Sequence, residues 1–165
     1  MPLRKCTLKP VLARRSPEKV KIKYGICQAS AGSYGEWTLR ILAKRCGVRP
    51  PKLFKHGTAR SFFSYPDEIH LSKELYKAPM ALFVATCMHE FAHYLDLGQV
   101  TIDEYVNRRN KHDAGFVKWL TVVSRAGFCQ PDGEKCYPWE REYSSVVLAA
   151  AKLGIIKMRK LKEKK

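Results

Sequence analysis

Residues 88–96 read MHEFAHYLD, which sets His89 and His93 four positions apart with Glu90 beside the first of them. On a helix that spacing brings both imidazoles to one face, where each can aim a ring nitrogen at a single ion. Glu90, one position round, is badly placed to share the ion but well placed to reach a water beside it and take its proton. The pattern H-E-x-x-H therefore points to a zinc centre that performs hydrolysis. The bland reading is three polar side chains tolerated on a core helix. The chain holds only 5 histidines, however, and two at this spacing around a glutamate are poorly explained by chance.

A catalytic zinc takes three protein ligands and leaves a fourth position open. The longer pattern H-E-x-x-H-x-x-G-x-x-H fails, because position 96 is Asp and position 99 is Gln. Two sources of a third ligand remain downstream. His112 stands in KHDAGFVKWL at an expected helix start, with Phe116 one turn on to pack the core. Glu140 or Glu142, in PWEREYSSVVLAAA, would serve from a later amphipathic helix, where both could equally face solvent near its N-terminus. Asp96 is either an acceptor for a ligand imidazole or a solvated charge near a helix end. Tyr94, Tyr143 or an arginine could donate to a developing oxyanion.

Several elements must position these groups. MALFVATCMHEFAHYLDL is a nearly unbroken apolar helix, opened by Pro79 and closed by Gly98, and it is the expected centre of the fold. SYGE carries a capping-box signature that starts a helix over about 34 to 46, with Trp37, Ile41 and Leu42 on its buried face and Gly47 at its end. RPPKLFKHG reads as a Pro-rich connector, and ARSFFSY, the turn PDE and IHLS read as an antiparallel hairpin. VKIKY suits a short exposed strand. TIDEYVNRRNK suits a surface loop or a loose helical turn, and a further helix is expected from about His112 to Gly127. The whole reads as an α+β domain, a central helix packed with a small antiparallel sheet and further helices.

At 165 residues the chain fits one domain, expected over 16–154, between a basic arm at 1–15 and a basic tail at 155–165. Its 45% hydrophobic content excludes wholesale disorder. Its charge of +16 favours polyanions, so nucleic acid, DNA first, is the expected partner of arm and tail. The basic N-terminus lacks the apolar core of a secretory signal, and no apolar stretch could span a bilayer, so an intracellular, non-secreted monomer without membrane contact is expected. The 6 cysteines form no C-x-x-C pair, which leaves neither a zinc ribbon nor a disulfide framework indicated; Cys129 and Cys136 bracket a loop.

IHLSKEL, the apolar helix with HEFAH, and the later His with a following Phe in HDAGFVKWL together resemble the SprT-like zinc metallopeptidases, which include the Spartan-type proteases that act on DNA-bound proteins. The resemblance covers roughly residues 55 to 127. It implies a minimal zincin-like metalloprotease domain with His89, His93 and His112 on zinc and Glu90 as catalytic base, and it implies protein substrates, with the IHLS strand pairing to them. Two departures stand out: Asp113 occupies a position where Gly is usual, and the stretch between His93 and His112 is long. Two other functions fit the same residues. One is a non-proteolytic nucleic-acid or protein-binding module with a structural zinc. The other is metal-dependent hydrolysis of a nucleic acid or small molecule.

Overall fold

The computed structural model describes residues 9–23, 34–57, 60–78 and 80–128. Among them the chain forms helix α1 (Tyr34–Cys46), strands β1 (Lys52–His56), β2 (Phe62–Ser64) and β3 (Glu68–Ser72), and helices α2 (Met80–Leu97), α3 (Ile102–Asn107) and α4 (Ala114–Phe128), with short 3-10 turns at Pro17–Lys19 and Lys73–Lys77. This is the α+β class expected. Glu140, Glu142 and Tyr143, the Cys129–Cys136 loop, the expected last helix and the basic tail lie outside the described residues.

The centre is α2. Every residue from Phe83 to Leu97 is buried, which a helix apolar on all sides requires. The sheet covers one side through Phe63, Ile69 and Leu71, and α1 and α4 cover others through Leu39, Leu42, Phe116, Val117 and Leu120. Trp37, expected on the buried face of α1, is half-buried, and Leu39 and Ala43 join Ile41 and Leu42 in the core. Past the end of α1, Gly47 adopts φ 68° and the Val48 N–H returns to the Ala43 carbonyl at 3.0 Å, a Schellman closure that favours glycine there.

The sheet corrects two expectations. It is mixed rather than antiparallel: the order is β1-β3-β2, with β1 parallel and β2 antiparallel to β3. KLFKH, expected as connector, is the strand β1, because Pro50 and Pro51 precede it and so remove no hydrogen bond from its ladder. In consequence the IHLS strand is central: β1 pairs it along its whole length, whereas β2 pairs it only as far as His70, and β2 is the outer strand beside α2. The described part of VKIKY, residues 20–23, forms no strand.

Residues 11–15 of the expected arm are held by the domain. The Val11 and Leu12 N–H groups both donate to the Gly98 carbonyl at 3.0 Å, past the end of α2. The Arg15 guanidinium donates to the Cys46 and Gly47 carbonyls at 3.1 Å, and Arg14 grips Glu104 of α3 through bonds of 2.6 and 2.7 Å. TIDEYVN forms α3, closed at its N-terminus by a capping box between Thr101 and Glu104.

Candidate metal centre

His89 and His93 lie one turn apart on α2, each only 7% exposed, and His112 meets them from the turn that precedes α4. The Nε2 atoms form a near-equilateral triangle: His89 to His93 3.2 Å, His93 to His112 3.1 Å, His89 to His112 3.1 Å. Among the described residues this is the one group of three or more His, Cys, Asp or Glu side chains close enough to hold a metal ion. It brings together the three histidines expected from the sequence, while the rival ligands Glu140 and Glu142 are outside the described residues.

Elementary valence says what such a triangle can hold. A neutral imidazole carries one N–H and one lone pair, and a ring nitrogen that donates cannot also accept. Three Nε2 atoms in mutual contact therefore admit no set of tautomers that bonds every pair. With one donor, the other two lone pairs face each other; with two donors, their hydrogens do. One cation facing three lone pairs resolves the conflict. Tetrahedral bonds of about 2.0–2.1 Å would set the nitrogens about 3.3 Å apart, close to the spacing observed.

Burial keeps these rings neutral. Desolvation, with smaller disfavouring of a second charge by the neighbouring imidazoles and, at His93, by Arg108 and Lys111, pulls the His89 pKa from 6.5 to about 3 and that of His93 to about 2, and desolvation also lowers His112. Nδ1 of His93 is buried and has no hydrogen-bond partner among the described residues. Packing orients that ring instead. The Phe116 ring stacks on His93 with centroids 4.2 Å apart and meets His89 and His112 edge-on at 5.1 and 4.9 Å, so one aromatic side chain backs all three imidazoles.

Glu90 is 5% exposed. Desolvation raises its carboxyl from 4.5 to about 8, opposed by the Phe63 main-chain N–H, which donates to it from β2. Glu90 and the three histidines line a cleft of about 960 Å³ together with Phe63, Leu75, Leu82 and Thr86. The arrangement offers three neutral nitrogen donors, one carboxyl able to hold or release a proton near neutral pH, and an apolar wall.

Two residues serve differently from their expected roles. Tyr94 is fully buried and its hydroxyl donates to the Arg49 carbonyl at 2.8 Å, away from the cleft, so it does not stabilise an oxyanion. Asp96 neither accepts from a ligand imidazole nor faces solvent: it is 6% exposed and ion-paired with Arg108 at 2.6 Å. Asp113, at the position that departs from the SprT-like pattern, caps α4 by accepting from the Phe116 N–H at 3.1 Å. Nothing in the sequence points to the Phe63 N–H, and the one available signal for Arg108 is its place between Asp96, three residues after His93, and Asp113, directly after His112. No family model, curated protein or solved structure matches this chain.

Proposed function

We propose that this chain is a zinc-dependent metallopeptidase of the zincin-like kind, with His89, His93 and His112 as ligands and Glu90 as general base and acid. The observation that carries the reading is the convergence of three Nε2 atoms within 3.2 Å of one another beside a buried carboxyl, in a cleft with room for a peptide. Three neutral nitrogen donors suit zinc, although other first-row ions would accept them. The ion, when bound, supplies a Lewis acid that acidifies water and polarises a carbonyl.

The remaining steps belong to the chain. His89 and His93 stay neutral and keep their lone pairs directed into the triangle. Glu90 takes a proton from the attacking water on a carboxylate oxygen and returns it to the amine nitrogen as the C–N bond breaks. Burial alone holds this carboxyl protonated near neutral pH, and a cation bound beside it would favour the carboxylate, the form that accepts the proton. The apolar wall keeps bulk water from Glu90. An extended substrate would lie along β2, with main-chain hydrogen bonds giving tolerance of sequence and Phe63, Leu75 and Leu82 contacting its side chains. The basic arm and tail would hold the enzyme on nucleic acid, so that proteins bound there are cut.

The test is metal content and cleavage measured together. Wild type should carry one equivalent of zinc and cleave casein or histone, and should lose cleavage on chelation and regain it with zinc. Full metal content without cleavage of either protein would leave a binding module with a structural ion, and hydrolysis of a labelled oligonucleotide instead would move the substrate class to nucleic acid.

A further inference from the structure

His112 differs from its two partners in what fixes it. His89 and His93 are locked on a buried helix, whereas His112 is exposed and lies outside any regular element, on the turn before α4. A ligand so placed needs a support that ties its backbone to α2. The structure contains one. The Arg108 guanidinium, its side chain 19% exposed, lies between two carboxylates. On one side is Asp96 of α2, three residues after His93, whose buried Oδ2 lies 2.6 Å from Nη2 as an ion pair without hydrogen-bond alignment. On the other is Asp113, the residue after His112, which accepts from Arg108 Nε at 2.9 Å and through a second, shorter bond from Nη2. Asp113 then bonds the Phe116 N–H, and the Phe116 ring backs all three imidazoles.

We infer that Arg108 is the positioning residue of this site: without touching ion or substrate, it fixes the reach of His112 by bridging the residues that follow the second and third ligands. The inference rests on the reading of the three histidines as a metal centre. A planar guanidinium can address two carboxylates at once, whereas the compact ammonium of lysine lacks that fork. Gly115 makes room for it. A Cβ at that position would meet Asp113 Oδ1 at 3.2 Å, Arg108 Nη2 at 3.3 Å and Asp96 Oδ1 at 3.7 Å, so an added methyl group presses on the bridge without altering any charge.

The experiment compares full-length wild type with Arg108→Lys, Arg108→Met and Gly115→Ala. Zinc affinity is read by chelator competition, the visible spectrum is read with cobalt in place of zinc, and unfolding is read on the metal-free proteins. The variants are expected to bind zinc about 10–100-fold more weakly, with weakened and shifted cobalt bands as the third imidazole is displaced, Arg108→Lys less affected than Arg108→Met. The metal-free unfolding of Arg108→Lys and Gly115→Ala should stay near that of wild type. If wild type binds no metal, the metal reading itself fails. If wild type binds and the variants match its affinity and cobalt spectrum, the bridge is an ordinary structural ion pair and the inference is overturned. A loss of affinity matched by an equal loss of metal-free stability overturns it as well.

Discussion

Glu90→Gln should remove the proposed peptidase activity and strengthen the metal-free fold. In the unfolded chain the carboxyl ionises near its ordinary 4.5, and in the metal-free fold near 8, because burial disfavours its charge. Between those values the folded protein holds a proton that the unfolded chain has shed, so this group's contribution to stability falls as pH rises. At pH 7 the separation amounts to about two and a half decades, or roughly 3 kcal/mol at about 1.4 kcal/mol per unit. The glutamine variant carries no such penalty, fills nearly the same volume, and keeps an oxygen for the Phe63 N–H.

Urea unfolding in chelator should therefore show Glu90→Gln more stable than wild type by up to roughly 3 kcal/mol near pH 7, with the two converging as pH falls below 4.5. With zinc present the gap should narrow, since a cation beside Glu90 favours its carboxylate. Cleavage should be lost while zinc content stays at the wild-type level. A difference that ignores pH, or no gain near pH 7, refutes the idea of a carboxyl strained by burial. Retained cleavage refutes Glu90 as the base.

His112→Ala should lower zinc affinity by more than the about 10–100-fold expected for a supporting residue, and metal-free unfolding should move by no more than about 0.5 kcal/mol because the side chain is exposed; chelator competition and urea unfolding check the pair. Gly98→Ala should destabilise by about 1–3 kcal/mol, since its Cβ would lie 2.6 Å from the Tyr94 carbonyl oxygen and 3.3 Å from that of Pro66, both main-chain atoms; equal stability in urea would show that the α2 terminus can yield. Affinity for a DNA oligonucleotide should fall steeply as salt rises, and weak, salt-independent binding would remove the targeting role of arm and tail.

The candidate site is legible in the sequence where its determinants are local. His89, Glu90 and His93 follow from helical spacing alone, whereas His112, placed before a helix that packs Phe116, stands beside Glu140 and Glu142 as an alternative that the SprT-like resemblance favours. The supports were not legible, for the same reason. Arg108 pairs with residues 12 positions before it and 5 after it in the chain, and no periodicity reports that a loop arginine folds back onto the helix that carries His89 and His93. In the sheet one signal masks another. Pro50 and Pro51 mark a connector, yet they sit just before β1, and the insertion of β3 between β1 and β2 is a long-range choice that the hairpin pattern of residues 60–72 leaves open. Tyr94 had the chemistry of an oxyanion donor and the wrong face of its helix.

Without an ion, the centre is destabilised in both pH directions. Below 6.5 unfolded histidines take up protons, whereas folded His89 and His93 stay neutral down to about 3 and about 2, so their contribution to stability is lost as pH falls. Above 4.5 the opposite sign applies to Glu90, whose contribution is lost as pH rises toward 8. In the window where both act, the two histidines outweigh the one carboxyl, so the site's contribution in the metal-free protein should peak near pH 6.5. A divalent cation reverses the alkaline loss, because it favours ionised Glu90, and it opposes the acid loss, because it competes with protons for the imidazoles. Zinc should therefore broaden the stability maximum on both sides, while Glu90→Gln should broaden only the alkaline side. Unfolding measured across pH, with chelator and with zinc, separates the two effects; a metal-free profile without a peak, or one that zinc merely raises uniformly, would show that the buried histidines and glutamate do not share one electrostatic site.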